Sequence, residues 1–249
     1  MVGMQIGLIG SGNMARAMVR GWGEPVLCTD FLPERAHALA AEVGGEAVAS
    51  NAALAERADL VILCHKPPQL RDVALEVAPH AKAVASILGG VPLADLQAAY
   101  PDAAVHRFLP STPVEVRQGV VIHALGGSED DAVLQLFARL GTLVSLPEGQ
   151  VDVAMGLMSN APAYWALLAE AQIDAGIRRG IPADQAAALV VQTMAGTAAL
   201  LQERDFDTLA VRREVTSPGG STARGLDALE RGGVRSAFSD AIDAVLGGR

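Results

Sequence analysis

Short apolar stretches recur between residues 5 and 146, each closed by Gly, Pro or Asp. They are QIGLI (5–9), PVLCT (25–29), LVILC (60–64), AVASI (83–87), AVHRF (104–108), GVVIHA (119–124) and TLVSL (142–146). Runs of this length, rich in β-branched residues, predict strands buried on both faces. Segments of helical length lie between the earlier ones: NMARAMVRG, PERAHALAAEVG with Pro33 at a first helical position, and PLADLQAAYP. Strand–helix alternation of this kind predicts a parallel, doubly wound sheet over residues 1–150.

After about residue 150 the pattern changes. APAYWALLAEAQIDAGIRRG, PADQAAALVVQTMAGTAALLQER and SAFSDAIDAVLGG (236–248) read as helices with no strand between them. An all-helical second domain over 151–249 is expected. AAALVVQTMAGTAALL is apolar round most of a helix, so something must cover it. One run breaks the helical pattern: EVTSPGGSTARGLDALERGG (214–233) holds a Ser-Pro-Gly-Gly-Ser-Thr turn.

Composition narrows the function. With 51% hydrophobic and 4% aromatic residues the chain packs a core of Ala, Val and Leu. Its 28 acidic and 19 basic residues give a net charge of -9, which disfavours nucleic acid and anionic membrane surfaces as partners. Cys28 and Cys64 each sit in an apolar run and read as small buried hydrophobes, not a disulfide or metal pair. The opening MVGMQIGLIGSG lacks the basic flank of a signal peptide, and no apolar segment reaches the roughly 20 residues of a membrane span. A cytoplasmic protein without a metal is expected.

Candidate chemistry begins at Gly10-Ser11-Gly12-Asn13-Met14-Ala15, a G-x-G-x-x-A run between a predicted strand and a predicted helix. The first glycine permits the turn, the second lets a diphosphate approach the backbone, and Ala15 lets helix and sheet pack closely. The diphosphate then meets the positive end of the helix. This defines a Rossmann-like dinucleotide site, the alternative being a merely structural tight turn. Asp30, 20 positions after Gly10, ends the second strand, where a carboxylate accepts ribose hydroxyls and favours NAD(H). A second reading stays open: Arg35 covers a 2′-phosphate of NADP(H) while Asp30 caps the next helix.

In the C-terminal run, two glycines present backbone N–H groups together while Ser217, Ser221 and Thr222 add hydroxyls, a nest suited to a carboxylate. Taken alone, the same residues also describe an ordinary helix cap. The five histidines, His37, His65, His80, His106 and His123, do not cluster and read as surface or strand-end residues. Glu170 and Asp174, at i and i+4, read as a solvated or interface face.

The chain resembles the pyrroline-5-carboxylate reductase family over essentially its whole length. The likeness rests on Gly10, Gly12 and Met14, on Asn51 lying 15 positions before Lys66, on HKP (65–67) in place of Val-Lys-Pro, and on RFLPSTP (107–113). It is most specific in APAYWALLAEAQIDAGIRRGI, QTMAGTAALL and VTSPGGSTARGLDALERGGVRSAF. The resemblance implies NAD(P)H-dependent reduction of 1-pyrroline-5-carboxylate to L-proline, the last step of proline biosynthesis. It also implies a cofactor site of Gly10, Ser11, Gly12, Asn13, Met14, Asp30, Asn51, Lys66, Pro67 and Ser111. Ser217, Gly219, Gly220, Ser221 and Thr222 would bind the substrate, Thr222 as the catalytic group near the ring nitrogen. The helical domain would interleave two subunits of a homodimer or higher homo-oligomer, with the active site between the two domains.

Several positions depart from the family pattern. Ser111 replaces an Asn, Met158-Ser159-Asn160-Ala161 replaces Ser-Gly-Ser-Gly, and Phe206-Asp207 replaces His-Pro. These keep two alternatives in view: a dinucleotide-binding regulatory relative without reductase activity, and a reductase of another small cyclic imine carboxylate. Oxidation of a hydroxy acid would call for a Lys in the helical domain, and none follows Lys82.

Overall fold

The computed structural model describes residues 3–247; Gly248, the last residue of the expected final helix, lies outside them. The chain divides into two compact units, Met1–Pro162 and Ala163–Arg249.

The first unit is an eight-stranded sheet in the order β3-β2-β1-β4-β5-β6-β7-β8. Its strands are β1 (Ile6–Ile9), β2 (Leu27–Thr29), β3 (Glu46–Ala47), β4 (Leu60–Leu63), β5 (Ala83–Ser86), β6 (Ala104–Pro110), β7 (Gly119–Leu125) and β8 (Gly141–Pro147). Helices α1 (Asn13–Trp22), α2 (Pro33–Val43), α3 (Asn51–Arg57), α4 (Leu70–Val77), α5 (Leu93–Ala99), α6 (Asp131–Ala138) and α7 (Glu148–Met158) complete it. Side-chain alternation along the strands divides the core. Ile6, Leu8, Leu60 and Ile62 join Met18, Trp22 and Phe137 in one cluster. Ile9, Val61 and Leu63 join Leu54, Val77, Leu96 and Tyr100 in another. A sheet buried on both faces needs the near-continuous apolar strands seen in the sequence.

The sheet is parallel, as expected, except at one joint. β6 and β7 pair antiparallel, Phe108 opposite His123 and Pro110 opposite Val121. Between them lies a single 3₁₀ turn, Thr112–Val116, closed by Arg117 in the left-handed region at φ 58°. So short a connection reverses the chain, whereas a parallel crossover needs a dozen or more residues.

The division of the chain falls later than the expected 150. Val151, Ala154 and Met158 of α7 pack on Leu109, Ile122 and Ala124, so this helix belongs to the sheet. Arg107, 5% exposed, fixes it further: its guanidinium meets Glu148 at 2.5 Å and Asp152 at 3.4 Å. Glu148 also accepts the Leu93 N–H at 2.9 Å, so this carboxylate, held by the buried arginine of β6, ties α5 to α7.

His106 and His123 are not surface or strand-end residues. Both are buried, His106 at 0% exposure, because i and i+2 on a strand share a face and His106 therefore lies beside Phe108 in the core. Phe108 in turn stacks on Phe137 at 3.8 Å. Burial and the neighbouring His123 push the His106 imidazole down to about 4.

The second unit consists of α8 (Ala161–Ile177), most of whose length lies beyond Pro162, with α9 (Ala183–Glu203), α10 (Thr208–Glu214), α11 (Ser221–Arg231) and α12 (Val234–Val245). These helices bury few side chains, and Trp165, Leu167, Leu189, Val191 and Leu229 remain exposed. Apolar surface of this extent marks a face for another chain. No helix among the described residues is long and apolar enough to cross a membrane, and none of their His, Cys, Asp and Glu side chains form a group of three placed to hold a metal ion.

Candidate functional site

A groove of about 1410 Å³ opens where β1, β2, β3 and β4 end, between the segments that carry the chain to either side of the sheet. This is the position at which open α/β sheets bind ligands. Its lining includes Gly10, Ser11, Gly12, Asn13, Met14, Asp30, Asn51 and Lys66, so eight of the ten expected cofactor residues meet there.

Each arrives for a local reason. Gly10 adopts φ +100°, and a Cβ on it would lie 2.7 Å from the Cys64 carbonyl carbon and oxygen. Only glycine permits the first strand to turn so close to the fourth. Gly12 differs, since a Cβ there would meet nothing within 4 Å. The fold itself has room for a side chain at Gly12, and the space it leaves lies over the start of α1. That helix begins at Gly12 with no side-chain cap and no acid in its first turn, so its leading amides face an anion unopposed. A diphosphate fits this cradle.

Asp30 is more occupied than its position suggests. One oxygen accepts the Ser11 N–H at 2.7 Å and the other the Leu32 N–H at 2.9 Å. The carboxylate therefore braces the glycine turn as well as facing the groove. Asn51 accepts the Thr29 hydroxyl on its Oδ1 at 2.7 Å, which leaves its NH₂ as a donor. Lys66 is exposed and makes no ion pair among the described residues. Arg16 and Arg35 also line the groove, as do Asp72 and Glu76, and Phe31, another lining residue, is 88% exposed.

A second cavity of about 270 Å³ adjoins the first. Met14, Cys64, His65 and Lys66 line both, and Pro67, Ile87, Leu88, Pro110, Met155 and Ser159 belong to the second. Pro67 thus stands in the smaller cavity. Ser111 stands in neither. It is 2% exposed, its hydroxyl donating to the Val120 carbonyl at 3.1 Å and accepting the Val120 N–H at 2.9 Å. The β6–β7 turn consumes the hydroxyl. Met155 and Ser159 were absent from the expected cofactor set, although their i, i+4 spacing marks one face of a helix.

In the second unit the turn before α11 is compact. Gly219 takes φ +70°, and a Cβ on Gly220 would fall 2.5 Å from the Ser217 hydroxyl. The Gly220 N–H donates to the Ser217 carbonyl at 3.0 Å and is spent within the turn. The free donors are the first amides of α11, at 221–223, which have no side-chain cap and no acid in the first turn. Thr222 is half-buried at the second of these positions. Arg224, which the sequence reading passed over, donates from Nη1 to the Gly219 carbonyl at 2.7 Å and brings positive charge to the turn.

Fold and groove together define a Rossmann-like dinucleotide-binding oxidoreductase with an appended helical unit. Comparison with known proteins narrows the class. Residues 148–247 match the family described as pyrroline-5-carboxylate reductase dimerisation, and residues 5–90 match NADP oxidoreductase, coenzyme F420-dependent. The pyrroline-5-carboxylate reductase of Synechocystis sp. is 33% identical over 97% of this chain and 95% of its own. That of Glycine max is 32% identical over 96% and 92%. Among solved structures, the 1-pyrroline-5-carboxylate reductase of Streptococcus pyogenes superposes with a TM-score of 0.87 at 29% identity, covering 97% of this chain and 96% of its own. The Plasmodium falciparum pyrroline carboxylate reductase, solved with NADP bound, shares the fold at a TM-score of 0.87 and 24% identity, over 98% and 96% of the two chains. The chain belongs to the pyrroline-5-carboxylate reductase family.

Proposed function

We propose that the protein reduces 1-pyrroline-5-carboxylate to L-proline with a reduced nicotinamide dinucleotide, the last step of proline biosynthesis. The observation that carries the reading is the turn at Ser217–Ser221, whose following amides point at no acid or cap of the chain's own. Such a turn is complementary to a carboxylate.

When bound, the dinucleotide would supply the hydride for the ring C=N carbon, and protonation at the ring nitrogen makes the imine electrophilic. The chain's residues orient the partners. Gly10, Ser11, Gly12, Asn13 and Met14 seat the diphosphate at the start of α1. Asn51 and Lys66 offer donors along the groove, and Pro67 borders the smaller cavity. Ser217, Gly219, Gly220, Ser221 and Thr222 hold the substrate, the first three by shaping the turn and the last two by donating, with the Thr222 hydroxyl near the ring nitrogen. Orientation in a fixed polar setting suffices for a reaction whose substrate is already activated.

For the cofactor we propose NADH over NADPH, because Asp30 keeps a carboxylate at the end of β2 where a 2′-phosphate would meet it. The exposed apolar faces of α8 and α9 support a homodimer as the working form.

Purified protein with DL-pyrroline-5-carboxylate, followed by absorbance with NADH and NADPH in parallel, tests the proposal. Turnover faster with NADH is expected. Dinucleotide binding without turnover overturns the assigned substrate.

A further inference from the structure

His65 stands where the two cavities join. It follows β4, and it lines both the groove that holds the glycine turn and the smaller apolar cavity bordered by Ile87, Leu88, Pro110 and Met155. Of the four residues shared by the two cavities, Met14 and Cys64 offer only sulfur and Lys66 only donors. His65 alone brings a ring nitrogen able to accept.

The hydrogen bonding of the ring fixes which nitrogen that is. Nδ1 lies 2.9 Å from the Lys66 carbonyl oxygen. A carbonyl only accepts, so Nδ1 carries the proton and the neutral ring presents Nε2 as a bare lone pair. Nε2 is buried and has no hydrogen-bond partner among the described residues. An acceptor left in that condition costs about 1–3 kcal/mol and calls for a partner from outside the chain. Burial also holds the ring below its ordinary protonation range, which keeps the lone pair available at neutral pH.

A dinucleotide spanning both cavities, with its diphosphate at Gly12, would place its nicotinamide in the smaller, apolar space. The sugar between those two parts would then cross the junction, and its hydroxyls are donors. Resting on the dinucleotide reading above, we infer that His65 is a positioning residue for the nicotinamide half of the cofactor, its Nε2 accepting a hydrogen bond from a hydroxyl of that ribose. Valine, which the family pattern carries at this place, has no such lone pair, so the contact is an acquisition of this chain.

The test compares binding of NADH and of ADP, which lacks the nicotinamide riboside half, to wild type, His65→Val and His65→Gln by calorimetry. Binding needs no substrate, so the result stands apart from whether pyrroline-5-carboxylate is turned over. His65→Val is expected to weaken NADH threefold or more while ADP changes less than twofold, and His65→Gln, which keeps an acceptor, to recover at least half of the loss on a logarithmic scale. In steady state the same loss should fall on KM for NADH and not on kcat. The assignment is overturned by an NADH affinity of His65→Val within threefold of wild type. An equal loss for ADP overturns it too, as does glutamine binding no better than valine.

Discussion

The Asp30 carboxylate accepts the backbone N–H of Ser11 at 2.7 Å, so the acid that ends the second strand also holds the glycine turn in shape. On the cofactor reading proposed above, discrimination between cofactors and integrity of the diphosphate seat would be joined in one side chain. Asp30→Ala should raise the NADPH-to-NADH ratio of kcat/KM at least tenfold and also lower kcat/KM for NADH itself. Parallel kinetics with the two cofactors measure both effects, and an unchanged ratio would remove Asp30 from cofactor choice.

The two glycines of the turn should behave differently. Gly12→Ala places a methyl in open space at a helix cap, a change worth about 1 kcal/mol of stability, yet it intrudes where a diphosphate would lie. NADH binding is expected to fall more than tenfold with the denaturation midpoint nearly kept. Gly10→Ala drives a methyl against the Cys64 backbone at a positive φ, so here stability itself should fall by several kcal/mol. Urea titration of both variants separates the two cases.

Thr222 sits at the second position of α11, among amides that nothing in its first turn caps. Thr222→Ala should reduce kcat/KM for pyrroline-5-carboxylate at least tenfold, about 1.4 kcal/mol of transition-state stabilisation. A loss within twofold would remove it from the site.

His106 predicts an acid limb in the stability curve. Its folded protonation lies at about 4, below the roughly 6.5 of an unfolded histidine. The unfolded chain therefore binds the extra proton first, and stability is full above 6.5 and lost as the pH falls toward 4. The loss amounts to about 3 kcal/mol over that window. His106→Leu should flatten this limb in urea titrations at a series of pH values; an equally steep limb in the variant would assign it elsewhere.

Arg107 is the buried centre of an ion-pair group with Glu148 and Asp152. Removing it leaves Glu148 and Asp152 without their counter-charge but still reached by solvent, and Arg107→Ala should cost about 1–3 kcal/mol. Thermal unfolding that moves by less than a few degrees would mean that the apolar contacts of α7 hold it without the pair.

What the sequence disclosed, and what it hid, follows from packing. Seven of the eight strands were legible as apolar runs, six because a sheet covered on both faces must be written in such residues and β8, which buries none of its residues, because Leu143, Val144 and Leu146 still recur along it. β3, only Glu46 and Ala47, is too short to leave a pattern. Helices α3, α4 and α6 are seven or eight residues long, barely two turns, and give too little periodicity to read. The glycine turn was plain because its residue types are dictated by backbone geometry. Occupied side chains were not: nothing in the order of residues says that Ser111 closes a turn on Val120, that Asp30 spends both oxygens on backbone, or that His65 borders two cavities. These depend on neighbours distant along the chain.

The exposed Trp165, Leu167, Leu189 and Val191 bear on how this chain is to be handled. In the homodimer proposed above, burying them is part of the folding reaction, which makes that reaction second order in protein. Dilution then acts as a denaturant: the melting temperature should rise with chain concentration, and a mutant impaired in assembly will look like one impaired in folding.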